Sequence, residues 1–161
     1  MSQPVALLLA ASPTKFLVLS ISTVFLYTLL WIYRIWLFVE KHDGKSRWAA
    51  VRTFFSPFLT WSALRSIRRA FPKQSVDSRI PLEAFGGAWG LMVLAPNLIR
   101  ASPEAGAVLL LASPFALLPA VRVVNAAKAA SGTPPAAFSS WSRLEVSSVV
   151  GGLFLWALLF R

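Results

Sequence analysis

Cysteine is absent from this 161-residue chain, and histidine occurs once, at His42. The first absence excludes disulfides, iron–sulfur clusters and thiolate zinc sites. The second excludes a multi-histidine metal site and a bis-histidine haem held within the chain. His42 itself lies between Lys41 and Asp43 in a basic loop, where solvation is its expected role. Acidic residues number six against sixteen Lys and Arg, for a formal net charge of +10. Charged residues of both signs make up 14% of the chain, whereas soluble domains carry roughly 25%. No serine stands in a Gly-x-Ser-x-Gly setting, and no glycine-rich phosphate loop is present. Glu83 and Glu145 have no His, Cys or Asp at a matching position to complete a triad or a metal site. The expected chemistry is therefore none: no catalytic residue, no cofactor, no metal.

What the chain does have is apolar bulk. Apolar residues make up 57% of it, and the mean hydropathy is +0.65. A soluble protein of this composition would expose an aggregation-prone surface, so lipid is the expected solvent. The net charge does not point to nucleic acid, because it gathers at the ends of apolar segments. Ten basic residues fall between Arg34 and Arg79, flanked by uncharged stretches. Attraction to anionic headgroups, worth about 1 kcal/mol per basic residue near the surface, accounts for that placement.

Four segments read as membrane spans, at about 16–39, 82–99, 105–121 and 144–160. Phe16–Tyr33 carries no charge, and its length as a helix, about 27 Å, matches the hydrocarbon layer. Ser12-Pro13-Thr14 suits a helix start, and Asp43-Gly44 suits a turn. Trp31, Tyr33, Arg34 and Trp36 form an interfacial belt. Pro114 and Pro119 are expected to kink or end the third span. The apolar start of the chain has no positive charge ahead of it and is expected to be a retained tail instead of a cleaved signal.

Residues 47–71 read differently. Arg52 and the Ser56-Pro57 break argue against a full crossing. Beyond the proline, Trp61, Leu64, Ile67 and Phe71 share one face, with Ser62, Arg65 and Arg69 on the other. This is the pattern of a cytoplasmic-side amphipathic helix–Pro–helix that dips into the membrane and returns. Arg47, Arg65, Arg68, Arg69 and Lys73 are its expected contacts with lipid headgroups or a partner. With this segment inside, thirteen of the sixteen basic residues lie inside and Lys15, Arg100 and Arg161 outside. Both termini are then expected outside.

Small residues recur at four-residue spacing: Gly86 with Gly90, Ser147 with Gly151, Ser148 with Gly152. Such pairs let helix backbones approach closely in lipid. They serve either packing within the chain or contact with another subunit. Arg34, Glu40, Glu83, Arg122, Asn125, Arg143 and Glu145 fall at span ends, where caps and interfacial salt bridges explain them better than an ion relay.

Three stretches together carry a resemblance. Ser12-Pro13-Thr14-Lys15-Phe16 leads into Tyr27-x-x-x-Trp31-x-Tyr33-Arg34-x-Trp36, and Arg52-Thr53-Phe54-Phe55-Ser56-Pro57-Phe58 follows. Leu117-Leu118-Pro119-Ala120-Val121-Arg122-x-x-Asn125 then precedes Gly151-Gly152-Leu153-Phe154-Leu155-Trp156. In this order they resemble a family of small bacterial integral membrane proteins of unknown function, over about Ala11 to Phe160. The chain departs from that pattern at Ala120-Val121 and in its Ala/Pro-rich last loop. The resemblance implies a helical protein of the bacterial inner membrane, and no site residue transfers with it. The expectation is an all-α membrane protein of four transmembrane helices, acting as a non-enzymatic accessory or scaffold subunit. Its partners would be anionic membrane lipids and a larger membrane protein, for example in a photosynthetic or respiratory assembly. A small transporter or channel, and an interfacial lipid-acting enzyme, are the rival readings.

Overall fold

The computed structural model describes residues 4–44, 48–75, 81–98, 102–132, 134 and 140–159, and every regular element among them is helical. A 3-10 turn, Pro4–Leu7, leads to α1 (Pro13–Ser22) and α2 (Leu26–Asp43). Next come α3 (Ala49–Phe54), α4 (Ser56–Ala70) and the single-turn α5 (Pro72–Ser75). α6 (Leu82–Leu98), α7 (Pro103–Ala116), α8 (Leu118–Ala130) and α9 (Arg143–Leu159) follow. Ser12 and Ser102 cap α1 and α7 through their hydroxyls, and Gly44 ends α2 in the left-handed conformation.

The first apolar segment is not one span. It breaks at Thr23–Phe25 and folds back, so that Phe16 on α1 packs edge-on against both Tyr27 and Trp31 on α2. Val24 and Phe25 carry φ of 50° and 67°, a left-handed turn that costs a branched or bulky residue energy. Backbone carbonyls freed by the break find donors, which offsets that cost. The Phe25 amide donates to the Ser20 carbonyl at 2.7 Å and the Thr23 hydroxyl to that of Leu19 at 2.6 Å. The Trp156 indole, from α9, donates to the Ile21 carbonyl at 2.8 Å. The uncharged 16–33 run therefore makes a helical hairpin, contrary to the single crossing expected of 16–39.

α3 and α4 form a second hairpin. The Trp48 amide donates to Glu40 Oε1 at 2.6 Å and the Arg52 guanidinium lies 4.9 Å over the Trp36 ring, so α3 runs antiparallel to α2. Phe71, just past α4, stacks on Phe38 at 5.4 Å, so α4 runs back parallel to α2. The bend falls at Phe55, with Pro57 in the first turn of α4, as the Ser-Pro break implied.

α6 lies antiparallel against α4 at glycine-limited distance. A β-carbon on Gly86 would meet the Trp61 backbone at 2.9 Å, and one on Gly90 would collide with the Pro57 carbonyl. At the far end Arg68 Nη2 meets Glu83 Oε1 at 2.6 Å. α7 turns back along α6, its Gly106 facing Pro96. α7 and α8 form one run, Pro103–Ala130, broken at Leu117. Its 28 residues make it the one helix among the described residues long and apolar enough to cross a membrane by itself. It extends well past the 105–121 expected. Pro114 does not stop it, because the Ser113 hydroxyl satisfies the Leu110 carbonyl at 2.8 Å.

The core gathers around α2. Trp31, Ile32, Ile35 and Phe38 pack with Ala63, Leu64 and Ile67 of α4 and with Leu117, Ala120 and Val121 of the α7–α8 run. Leu64 and Ile67 are fully buried. The centre of the apolar face of α4 is thus spent on the protein core and not on the acyl boundary, contrary to the sequence-based expectation, while Trp61 of the same face stays exposed. Large apolar side chains instead face outward at Phe54, Phe55, Phe58 and Trp61 around the second bend, and along α6, α7 and α9.

Candidate functional site

Among the described residues α9 leans on α1 and on little else. It runs parallel to α1 through three contacts: Lys15 with Glu145 at the start, Ser22 with Gly152 in the middle, and Ile21 with Trp156 beyond. Between α9, α1 and α2 lies an open groove of about 640 Å³. Leu9, Leu19, Leu26, Leu30 and Leu144 form its apolar lining, and Tyr27, Ser142, Glu145 and Ser148 its polar one.

The polar groups are held by local structure. Ser142 and Glu145 form a reciprocal capping pair: the Glu145 amide donates to Ser142 Oγ at 3.2 Å, and the Ser142 amide donates to Glu145 Oε2 at 2.8 Å. Glu145 Oε1 takes Lys15 Nζ at 2.7 Å. The same ammonium donates to the Ser140 carbonyl at 2.6 Å and lies 5.7 Å from the Trp141 ring. Lys15 is 5% exposed. Burial at that level is tolerable only because its charge is matched and its donors are used.

This ion pair corrects the expected topology. Lys15 was placed outside and Glu145 at the inner end of the last span, yet they touch. The start of α1 and the start of α9 therefore share one end of the molecule. Asn125 tells the same story, its amide bonding both the Ala11 amide and the Ala11 carbonyl, at 3.2 and 2.7 Å. Neither the pair nor the role of Tyr27 was legible in sequence. The available signal was that Lys15 immediately precedes the uncharged run 16–33 and that Tyr27 is a polar-tipped residue inside it.

The other sequence-derived residues divide. Arg65, Arg69 and Lys73 are exposed on α4 and α5. Arg68 is committed to Glu83 and is not a free headgroup contact. Arg47 lies outside the described residues. Gly86 and Gly90 receive α4, and Gly152 receives the end of α1. Ser147, Ser148 and Gly151 are exposed, and no group stands near a β-carbon placed on Gly151. Among the described residues no three His, Cys, Asp or Glu side chains gather as a metal site. Glu83 and Glu145 are each taken by their own cation.

No protein-family model matches the chain, and no curated protein or solved structure matches it either.

Proposed function

We propose that this chain is an integral membrane protein that serves as a non-catalytic accessory subunit, docking on a larger membrane protein through α9. The observation that carries this reading is α9 itself. Its seventeen residues are apolar apart from the first turn and two serines, and large side chains stand exposed along it: Leu144 at 81%, Val150 at 63%, Phe154 at 67%. A helix apolar on all sides is stable only in lipid or against another apolar surface. Val146, Val150 and Leu153 share one side, opposite the side of Leu144, Ser148 and Gly151 that faces the groove. That outer side is the docking face.

In this reading α6, the α7–α8 run and α9 cross the membrane, and the α1–α2 and α3–α4 hairpins enter from the basic side and return. Phe54, Phe55 and Phe58 at the second bend then face acyl chains, while Arg65, Arg69 and Lys73 meet anionic headgroups. The N-terminus lies inside and the C-terminus outside, in the bacterial cell membrane that the family resemblance implies. Three crossings and two hairpins replace four crossings because α1 and α2 fold back.

Mild-detergent affinity purification with a photoreactive residue at Val150 tests the reading. The expected result is a stoichiometric membrane protein cross-linked through that position. A chain that purifies alone and cross-links from Val150 only to lipid would overturn the accessory role. Release of the chain from membranes by alkaline wash would overturn the membrane placement.

A further inference from the structure

The groove has the lining of an amphiphile site. One part is leucine and alanine (Leu9, Ala10, Leu19, Leu26, Leu30, Leu144), and its rim is open, with Leu26 64% and Leu144 81% exposed. The other part presents the Tyr27 phenol, the Ser142 and Ser148 hydroxyls and the Glu145 carboxylate. Its volume, about 640 Å³, falls within the range of roughly 300–1,000 Å³ typical of small-ligand sites. From Ser142 to Gly152 the groove follows α9 for about 15 Å, enough for a good part of an acyl chain.

The polar part carries no net charge to attract an ion. Glu145 is neutralised by Lys15, and each of its oxygens already accepts one hydrogen bond. A carboxylate oxygen has a second lone pair, Ser142 Oγ accepts from the Glu145 amide and keeps its O–H, Ser148 donates to the Leu144 carbonyl and keeps its lone pairs, and the phenol of Tyr27 makes no hydrogen bond among the described residues. These groups match a neutral head bearing hydroxyls. A phosphate would meet the carboxylate, and a bare alkane would leave the phenol without a partner.

We infer that the groove between α1, α2 and α9 binds a neutral glycerolipid, one acyl chain lying along the leucines and the glycerol hydroxyls on Tyr27, Ser142 and Glu145. The inference rests on the bilayer placement proposed above, but not on the accessory role. Bound lipid would fill the gap between α9 and the two helices it overhangs, completing packing that the chain leaves open.

The test uses the full chain in phosphatidylcholine vesicles, with an oleoylglycerol carrying a diazirine in its acyl chain as the probe. Photolabelled positions are mapped by mass spectrometry. Labelling is expected to concentrate on the peptides containing Leu19, Leu26–Leu30 and Leu144. Gly151→Phe should lower it by about ten-fold, because the ring fills the groove from a position with free space around it. Labelling at the outward-facing Leu91 and Phe58 should stay unchanged, as should the Tm. Ser148→Phe, which fills the same space from the next turn, guards against a folding defect at Gly151. Tyr27→Phe should reduce labelling by the oleoylglycerol probe but not by the matching diazirine alkane. Equal labelling of wild type and both filled variants, or labelling spread evenly over α6, α7 and α9, would overturn the inference. Loss of the Val150 cross-link with groove labelling intact would sink the accessory reading and leave this one standing.

Discussion

Gly90 faces the carbonyl oxygen of Pro57 with no room for a β-carbon between them. The same contact places the first turn of α4 halfway along α6 and sets how far the second hairpin reaches beside its neighbour. Both partners are necessary: proline ends one helix and starts the next, and glycine lets the second helix close in.

Gly90→Ala is therefore expected to destabilise the chain by about 1–3 kcal/mol, the usual range for overpacking a tight contact. Gly87→Ala is the control, since nothing stands within 4 Å of its β-carbon position. It should be neutral or stabilising by up to about 1 kcal/mol through helix propensity. Thermal unfolding in detergent compares the two. Equal effects would mean that the α4–α6 contact is not close.

Val24→Gly separates a hairpin from a continuous span by sign. At a left-handed position glycine relieves strain, and the expected gain is about 0.5–1 kcal/mol, less whatever burial the half-buried valine supplies. Within an unbroken helix the same change would cost about 0.3–0.5 kcal/mol in helix propensity, because valine is itself a poor helix former, and the lost side-chain burial would add to it. A clear loss of stability would count against the α1–α2 fold.

The Lys15–Glu145 pair should respond asymmetrically. Glu145→Ala leaves the ammonium of Lys15 buried without its counter-charge, and a loss of about 2–3 kcal/mol is expected. Lys15→Ala leaves a carboxylate that is 26% exposed and reaches water, so its cost should be smaller. The double change Lys15→Ala with Glu145→Ala should cost less than the two single losses added together. Additive losses in this cycle would show that the two residues do not interact.

Sidedness can be read directly, because the chain has no native cysteine to interfere. A cysteine appended before Met1 and one at Asp43 should react with a membrane-impermeant maleimide from the same side. A cysteine at Ser102 should react from the other. An N-terminal cysteine that reacts together with Ser102→Cys would restore the single crossing of 16–39.

The exposed cations should act on lipid and not on the fold. Replacing Arg65, Arg69 and Lys73 with Gln is expected to weaken the preference of the reconstituted protein for anionic lipid by up to about 1 kcal/mol per residue, most at low salt, with little change in Tm. Arg68→Gln should do the reverse, since it orphans Glu83 at the α4–α6 contact. Similar Tm losses in the triple and single variants would contradict this division.

Local signals in the sequence determined a good deal of this molecule. Apolar content and low charge determined that it is helical and built around apolar faces. Ser12, Gly44 and Ser56-Pro57 marked helix boundaries correctly, because capping, left-handed ends and proline breaks depend on neighbours a few residues away. Tertiary structure decided the rest. The 16–33 run has no glycine, proline or charge to signal a turn. It folds back where Trp156, 135 residues further on, reaches the carbonyl of Ile21 and where Gly152 lets α9 close on Ser22. Leu64 and Ile67 show a clear apolar stripe, but a stripe is satisfied equally by lipid and by protein, and only the position of α2 settled it. Lys15 and Glu145 lie at distant points in the chain, and their charges have meaning only as a pair. Apolar burial has no direction of its own, so the sequence specifies which faces must be covered and the packed chain decides what covers them.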